Sequence, residues 1–461
     1  MRRAAVVVVG GGVAGLVAAN ALAREGVSVT LFEASREVGG KLRTTEVGGI
    51  TVDEGAEAFL VRRPEALDLV NELGLAAEQV VPRTTKAAVW SRGELRPMPE
   101  RTVMGLPSDA STLRGVLSSA EVARAGADSW LPGRPPGEDI AVGAWARKRF
   151  GSAVVDRLID PMLGGVYAGR ADELSLAATL PQLPRDERSG LAAARRAVAA
   201  APSSDLPIFA TLRNGLGTLP GALLASLSSN GGRAATGWTV RDIERTTTGW
   251  RVIYGATNAE RAIDVVGVVV ATPASAAGKL LANVAAAAAA ELSAIESASL
   301  AIVTTAWRAE DAGNAGMSGY LVPSTYGRPV KAVTLSSAKW PHLSVGDVAV
   351  ARCSFGRYGD TAVLQRDDAE LVKDAAAELT TYAGFSGTPI DASVSRWGGA
   401  LPQYAVGHVE RVLRIRSGVA ILPGLAVCGA TYEGVGVPAC IASGQRAASQ
   451  IVTYIKSLES R

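Results

Sequence analysis

An apolar run that leads directly into a glycine-rich turn constrains this chain most strongly. Residues 4–9 are all alanine or valine, which is typical of a strand buried on both faces of a parallel sheet. Residues 10–15 form the turn, Val13–Arg24 favours a helix that Gly26 closes, and residues 27–33 indicate a second strand. The sequence therefore predicts a βαβ unit.

The turn has the pattern G-x-G-x-x-G, with glycines at Gly10, Gly12 and Gly15. Glycines there allow a pyrophosphate to approach the helix N-terminus, whose free amides favour negative charge. Glu33 ends the second strand 18 residues after Gly15, and its carboxylate can accept hydrogen bonds from ribose hydroxyls. We therefore predict a dinucleotide site, with an ordinary tight turn as the alternative.

Length, charge and cysteine content limit the class of protein. The chain has 461 residues, room for roughly three domains, and its 47 Lys plus Arg against 44 Asp plus Glu leave a net charge of +3. Because the basic residues are scattered, we expect no nucleic-acid partner. The three cysteines and two histidines lack the spacing of a zinc site and indicate no disulfide framework, so we expect no metal and a cytoplasmic location.

Two stretches resemble membrane or export signals. Residues 1–3 are basic at two of three positions, and the uncharged residues 4–23 that follow imitate a signal peptide, but the glycines within that stretch argue against it. Residues 265–278 are uncharged, yet they are too few to span a bilayer and include Pro273. We expect no transmembrane helix, and peripheral contact with a membrane surface stays open.

A second glycine motif indicates which dinucleotide is bound. Residues 38–44 read VGGKLRT, which resembles the second glycine motif of the amine oxidase and protoporphyrinogen oxidase superfamily of FAD enzymes. The family form is usually G-G-R, and Lys41 departs from it but keeps a cation beside the phosphates. Residues 53–59, DEGAEAF, resemble the next flavin-contacting loop. Thr431 precedes Tyr432, so the attachment sequence for covalent flavin is absent and the resemblance implies non-covalent FAD.

Four further strings resemble the porphyrinogen oxidases within this superfamily. They are residues 161–169 (PMLGGVYAG), 173–175 (ELS), 402–412 (PQYAVGHVERV) and 429–441 (GATYEGVGVPACI). The resemblance implies removal of six hydrogens from a porphyrinogen in three flavin cycles, with O2 taking the electrons and leaving as hydrogen peroxide. Flavin N5 carries the hydride step in this chemistry, so we nominate no catalytic residue. We interpret His408 as a structural polar group, and Cys428 and Cys440 as buried small residues.

Residues 334–340 and 354–360 resemble the actinobacterial branch of these oxidases. In that branch the substrate is coproporphyrinogen III, and the product passes to a ferrochelatase. Oxidation of protoporphyrinogen IX is the nearest alternative. A flavin amine oxidase or carotenoid desaturase is more remote, and a non-catalytic binding protein of the same fold is remoter still. Oligomeric state is not readable from the sequence.

The resemblance also assigns site residues. Val240 is the position whose backbone meets adenine. Three tyrosines, Tyr167, Tyr404 and Tyr432, are candidates for the substrate cavity, and Arg62, Arg63, Arg101 and Lys339 are candidates for the substrate carboxylates. The full set of predicted cofactor-binding residues is Gly10, Gly11, Gly12, Val13, Ala14, Gly15, Leu16, Glu33, Ala34, Gly40, Lys41, Leu42, Arg43, Gly55, Ala56, Glu57, Ala58, Val240, Gly429, Val435, Gly436 and Val437.

The expected fold is α/β, with a Rossmann-like FAD-binding domain of the amine oxidase and protoporphyrinogen oxidase type, a mixed-sheet substrate domain and a helical insert. Strand patterns between residues 302 and 355 alternate as in an antiparallel sheet, and residues 86–99 alternate as in a hairpin. We predict an FAD-binding domain in three parts (1–85, 208–275 and 396–461), a mostly helical insert (86–207) and a substrate-binding domain (276–395).

Overall fold

The computed structural model describes residues 5–131, 137–201, 207–313 and 316–460. Residues 1–4 of the stretch that imitates a signal peptide, and residues 132–136 and 202–206 of the predicted insert, lie outside this description. The strands are β1 (Ala5–Val9), β2 (Ser28–Glu33), β3 (Thr44–Val47), β4 (Ile50–Asp53), β5 (Phe59–Leu60), β6 (Gln79–Val80), β7 (Ala87–Ser91), β8 (Glu94–Pro97), β9 (Thr102–Val103), β10 (Leu106–Pro107), β11 (Phe209–Leu212), β12 (Arg233–Thr236), β13 (Val240–Arg245), β14 (Trp250–Ala256), β15 (Ala259–Val265), β16 (Gly267–Val270), β17 (Ser297–Arg308), β18 (Gly319–Leu321), β19 (Val330–Thr334), β20 (Val348–Phe355), β21 (Asp391–Pro402) and β22 (Leu425–Val427).

Helices connect these strands, and among the described residues none is long and apolar enough to cross a membrane. The α-helices are α1 (Val13–Arg24), α2 (Pro64–Glu72), α3 (Ser119–Gly126), α4 (Val142–Phe150), α5 (Ser152–Val154), α6 (Asp160–Tyr167), α7 (Leu176–Thr179), α8 (Gly190–Ala200), α9 (Thr218–Ser229), α10 (Ala274–Leu281), α11 (Ala286–Ser293), α12 (Ser336–Lys339), α13 (Asp368–Tyr382), α14 (His408–Ala420) and α15 (Val437–Glu459).

A five-stranded parallel sheet of order β12-β2-β1-β16-β22 forms the first layer. Its central strands are valine-rich and buried on both faces, as the apolar run predicts. Helices α1, α2, α9 and α15 cover one face, and α10, α11, α14 and the antiparallel strands β13–β15 cover the other. The predicted βαβ unit is therefore confirmed.

A seven-stranded sheet of order β21-β17-β20-β19-β18-β7-β8 forms a second body of structure, and α13 packs on one of its faces. Its strands pair antiparallel, as the alternating patterns predict, except for the parallel pair of β7 and β18. Helices α3 to α8 and the short strands β9 and β10 build a separate hydrophobic cluster.

Some of the predicted domain boundaries fall inside the observed helices and strands. The hairpin β7–β8, included in the predicted helical insert, pairs with the seven-stranded sheet instead. The boundary at residue 275 falls inside α10, and the boundary at residue 395 falls inside β21. The division into three domains stays a prediction.

Candidate cofactor and substrate site

The first glycine turn leads directly into the uncapped start of helix α1. Helix α1 begins after Gly12 with no side-chain cap, so its first amides have no partner from such a cap. A Cβ built at Gly12 would meet nothing within 4 Å, whereas one at Gly15 would lie 2.0 Å from the carbonyl oxygen of Gly10. The turn is thus tight on its protein side and open on the other, which is the space a pyrophosphate requires.

Glu33 lies at the carboxyl end of β2, directly beside this turn. Its Oε2 accepts a hydrogen bond from the Gly11 amide at 2.6 Å, and its Oε1 accepts from the amide and hydroxyl of Ser35 at 2.8 and 2.7 Å. The amides of Gly237 and Trp238 donate to the carbonyl oxygens of Ser35 and Glu33. These contacts bring the chain before Val240 to the same edge of the sheet as Glu33.

The second glycine motif lies against the first. The Gly39 amide donates to the carbonyl oxygen of Gly11 at 2.7 Å, and a Cβ at Gly40 would lie 3.2 Å from the Cα of Gly12. Lys41 follows, and burial lowers the pKa of its ammonium group, although Cys440 acts in the opposite direction. The carbonyl oxygen of Lys41 accepts from the Ala56 amide, so the loop at residues 53–58 packs against this motif.

Helix α15 brings a third turn to the same place. A Cβ at Gly444 would lie 2.3 Å from the carbonyl oxygen of Ala14, so α15 crosses α1 in close contact. Gly436 precedes α15 without a side-chain cap, and Gly429 and Gly434 have φ values of +129° and +145°. Contacts thus link the segments that carry the predicted cofactor residues at 10–16, 33–34, 40–43 and 55–58 to the helix that follows Gly429 and begins within residues 435–437. The open turns at two uncapped helix starts fit phosphate groups, and the assignment of these residues to FAD stays a prediction.

Residue Glu57 is the centre of a buried ionic cluster. Lys339 Nζ donates to its Oε1 at 2.6 Å, Arg352 Nη1 donates to its Oε2 at 2.6 Å, and Arg352 Nη2 donates to the Gly55 carbonyl at 2.8 Å. Burial alone would raise the pKa of Glu57, but the two cations outweigh burial and lower it to about 2. We call Glu57, Lys339 and Arg352 the flavin-loop cluster.

Asp53 lies at the end of β4, near this cluster. Its carboxylate accepts hydrogen bonds from the amides of Leu216 and Gly217, both at 3.1 Å. Burial raises the pKa of Asp53 to about 7, against the lowering effects of these amides and of Arg352. His342, Trp340 and Arg352 line a small cavity with Asp53 and Glu57.

The strings that resemble porphyrinogen oxidases converge in space. Gln403 Nε2 donates to the Tyr167 carbonyl at 2.8 Å, and the Ser175 amide donates to the Tyr404 carbonyl at 2.7 Å. The Tyr404 hydroxyl donates to the Ala430 carbonyl. Three strings that are separated along the chain, at 161–169, 173–175 and 402–412, thus lie together beside the fourth, residues 429–441, which we call the flavin segment.

Two of the three candidate tyrosines lie together. The ring centroids of Tyr167 and Tyr404 are 5.5 Å apart, and Tyr404 stacks on His408 at 4.0 Å. Burial raises the pKa of Tyr167 to about 12, so its hydroxyl is neutral. Tyr432 packs in a different hydrophobic cluster, and its buried hydroxyl has no hydrogen-bond partner in the part of the chain that the structure describes.

The four candidate cations do not form a common site. Lys339 is paired with Glu57, and Arg63 is paired with its neighbour Glu65 at 2.8 Å. Arg62 and Arg101 are exposed. The ammonium group of Lys339 is already paired with the Glu57 carboxylate, and the assignment of Lys339 to a substrate carboxylate stays a prediction.

Sequence reasoning missed Arg352 altogether. Its only signal is a single charged residue within β20, an otherwise apolar strand of sequence VAVARCSF. Lys331 was missed in the same way: it is 5% exposed, and burial lowers its pKa to about 7. His408, Cys428 and Cys440 are buried, and burial lowers the pKa of His408 to about 4.

The parallel sheet, its paired glycine turns and the uncapped helix starts define a dinucleotide-dependent oxidoreductase fold. Residues 13–452 match the family model described as flavin containing amine oxidoreductase, and the chain belongs to this family. FAD is the cofactor that the family implies, so the chain is an FAD-dependent oxidoreductase.

Similar proteins of known name point to one group within this family. The chain is 37% identical to a coproporphyrinogen III oxidase of Mycobacterium tuberculosis (strain ATCC 25618 / H37Rv), over 98% of each chain. It is 31% identical to a coproporphyrinogen III oxidase of Bacillus subtilis (strain 168), again over 98% of each. A crystal structure from Exiguobacterium sp. 255-15, provisionally described as a protoporphyrinogen oxidase, matches with a TM-score of 0.84 and 28% identity over 99% of this chain and 100% of that one.

Proposed function

We propose that this chain oxidises coproporphyrinogen III to coproporphyrin III, with FAD as the hydride acceptor and O2 as the final acceptor. The observation that carries this proposal is similarity over 98% of the chain to enzymes that bear this name in both mycobacteria and Bacillus subtilis. Six hydrogens leave the macrocycle as three pairs, and each pair reduces one O2 to hydrogen peroxide, so atoms and electrons balance.

Bound FAD supplies the hydride-accepting N5 atom for this chemistry. The chain supplies amides of residues 12–15 for the phosphates, the amides of residues 435–437 for the pyrimidine end or the ribityl chain, and Glu33 for the ribose. Lys41 supplies a cation near the phosphates, and the backbone of Val240 contacts adenine. The loop at 55–58 packs against the flavin ring. These assignments remain proposals about individual residues.

Among the aromatic candidates, Tyr167 is best suited to contact the substrate. The hydroxyl of Tyr404 is engaged with the Ala430 carbonyl, so Tyr404 holds the flavin segment in place. The Tyr167 hydroxyl forms no hydrogen bond with another described residue, and its ring remains neutral because burial raises its pKa to about 12. A neutral aromatic ring suits an electron-rich, flat macrocycle.

The two porphyrinogens differ in their number of carboxylates, so a protein can distinguish them by the cations that it offers. Coproporphyrinogen carries four propionates and protoporphyrinogen two, and each charge-assisted hydrogen bond contributes about 1.5–3 kcal/mol when it is buried. Arg62 and Arg101 form no ion pair within the described residues, whereas Lys339 and Arg63 are each paired with a glutamate, so Arg62 and Arg101 are the first of the four candidates to test.

The test is aerobic turnover of the FAD-loaded protein on both porphyrinogens in parallel, followed by porphyrin fluorescence and corrected for spontaneous oxidation. We expect a higher kcat/KM for coproporphyrinogen III. A preference for protoporphyrinogen IX would overturn the substrate assignment while keeping the reaction, and activity on neither would overturn both. Arg101→Gln should raise KM for the preferred substrate more than Arg63→Gln, whose side chain is already paired.

Protoporphyrinogen IX is the second candidate substrate. The observation that favours it is a chloroplastic protoporphyrinogen oxidase of Oryza sativa subsp. japonica, which is 27% identical over 97% of this chain. The same parallel assay decides between the two.

We further propose a cytoplasmic location and direct transfer of the product to a ferrochelatase, with contact at a membrane surface left as an alternative route. Porphyrins are flat and poorly soluble, so a transient complex that shields them favours transfer. Faster iron insertion with both proteins present than with free coproporphyrin at the same concentration would support this hand-over, and equal rates would contradict it.

A further inference from the structure

We propose that Lys339 and Arg352 are positioning residues that hold Glu57 and its loop on the second glycine motif, and that the net positive charge of the flavin-loop cluster raises the reduction potential of the bound FAD. This inference rests on FAD binding and not on the identity of the porphyrinogen. Its failure is therefore distinguishable from failure of the proposed reaction.

The first step is that the cluster ties two bodies of structure together. Glu57 and Gly55 belong to the loop that follows β4, and this loop packs on the second glycine motif through Lys41 and Ala56. Arg352 belongs to β20 of the seven-stranded sheet, and Lys339 ends α12. Trp397 of β21 adds a hydrogen bond from its Nε1 to the Glu54 carbonyl at 3.1 Å. The loop is thus held from the side of the seven-stranded sheet.

The second step is charge. Within the flavin-loop cluster, two cations face one carboxylate, so a positive charge is left over. The three side chains are between 9% and 16% exposed, so water screens this charge only weakly. Asp53 and His342 are the other titratable groups around the same small cavity. At pH 6 the Asp53 carboxyl, with a pKa of about 7, is mostly protonated, and burial and the nearby Arg213 lower the pKa of His342.

The third step is the effect on the cofactor. Two-electron reduction leaves a flavin ring with a negative charge, and protein charges near that ring tune its potential. A buried positive charge stabilises the reduced form relative to the oxidised form. A purely structural ion pair would instead stabilise the oxidised and the reduced protein equally and would leave the flavin potential unchanged.

The experiment measures the midpoint potential of the FAD-loaded protein at pH 6 by equilibration with a reference dye. Lys339→Gln removes a positive charge and should lower the potential. Glu57→Gln removes the negative charge and should raise it. The double variant restores the original net charge, so its potential should return towards that of the unaltered protein. Lys339→Arg keeps the charge and should leave the potential unchanged.

A matched control comes from the helical part of the molecule. Arg149 in α4 pairs with the buried carboxylate of Asp128, which lies in the helical cluster. Arg149→Gln should lower the midpoint of thermal unfolding without moving the flavin potential.

Opposite shifts for Lys339→Gln and Glu57→Gln, with recovery in the double variant, would support the inference, because loss of packing does not change sign with charge. If the single variants fail to retain FAD and the double variant retains it, charge balance is again supported. Shifts in one direction for all variants, no shift, or loss of FAD in the double variant as well would overturn it.

Discussion

Gly12 and Gly15 differ in what a methyl group at each position would meet. At Gly15 it would collide with the Gly10 carbonyl, and at Gly12 it would enter the space left for a ligand. Gly12 has φ −69° and ψ 172°, an extended conformation that alanine adopts without strain. The two glycines therefore serve different purposes: Gly15 is needed for folding of the turn, and Gly12 for approach of the phosphates.

We predict that Gly12→Ala folds normally but binds FAD about tenfold more weakly or worse, a loss of roughly 1.4 kcal/mol. Titration of the apoprotein with FAD measures the affinity, and thermal unfolding without FAD checks the fold. Gly221→Ala is the matched control, because Gly221 lies in α9 with open space at its Cβ. Equal FAD affinities for both variants would contradict this role of Gly12.

His408 makes a prediction about acid stability. Burial lowers its pKa in the folded chain to about 4, below the ordinary histidine value of about 6.5, so the unfolded chain binds the proton more readily and acid favours unfolding between these values. The contribution is of the order of 3 kcal/mol at most. His408→Phe keeps a flat ring on Tyr404 and should lose less stability than the unaltered protein when the pH falls from 7 to 4.5.

Urea denaturation at the two pH values measures this difference. The partly exposed His342 offers a control, since His342→Phe should change the pH dependence less. Parallel pH curves for His408→Phe and the unaltered protein would show that His408 does not carry the effect.

At the scale of elements, Asp139 connects α7 to the start of α14. Its carboxylate accepts from the Ser175 hydroxyl at 2.6 Å, the Gly407 amide at 2.8 Å and the Ala177 amide at 3.1 Å. These bonds help bring the strings at 173–175 and 402–412 to the flavin segment. The same bonds lower the pKa of Asp139, although burial opposes this.

We predict that Asp139→Ala lowers the free energy of unfolding by about 2 kcal/mol, because two partly buried amides lose their acceptor. Asp109 is an exposed cap of the 3-10 helix Ala110–Gly115, where its carboxylate accepts a hydrogen bond from the Ser111 amide. Asp109→Ala should lower the free energy of unfolding by about 1 kcal/mol. Urea denaturation measures both. A loss for Asp139→Ala no larger than that for Asp109→Ala would contradict a connecting role.

Local sequence patterns predicted individual strands and helices better than they predicted which strands pair with one another. The valine run, the hairpin at 86–99 and the helix at Val13–Arg24 were found because periodicity and turn residues are local signals. The pairing of β7 with β18 was missed, since more than two hundred residues separate the two strands. The same limit explains the site: the glycine turns are visible as motifs, whereas Lys339, Arg352 and Glu57 meet only through the fold.

At the scale of the whole molecule, the predicted FAD site draws on residues 10–58, the chain near 240 and residues 429–437. FAD should therefore stabilise the entire fold, by about 2.7 kcal/mol when its concentration is a hundred times the Kd. Thermal unfolding with and without FAD measures this gain. Riboflavin, which lacks the pyrophosphate and adenosine, should give little stabilisation, and equal stabilisation by both would contradict recognition of the phosphates.

The crossing of α1 by α15 has a consequence for the order of events in the cell. The Gly444 contact with Ala14 joins the last helix to the first, and the third glycine turn precedes that helix. While the ribosome is still making α15, the first two turns are available but the third cannot yet be in position. We therefore expect tight capture of the flavin only after α15 has been made and has packed on α1, so that newly made chains first pass through a colourless form.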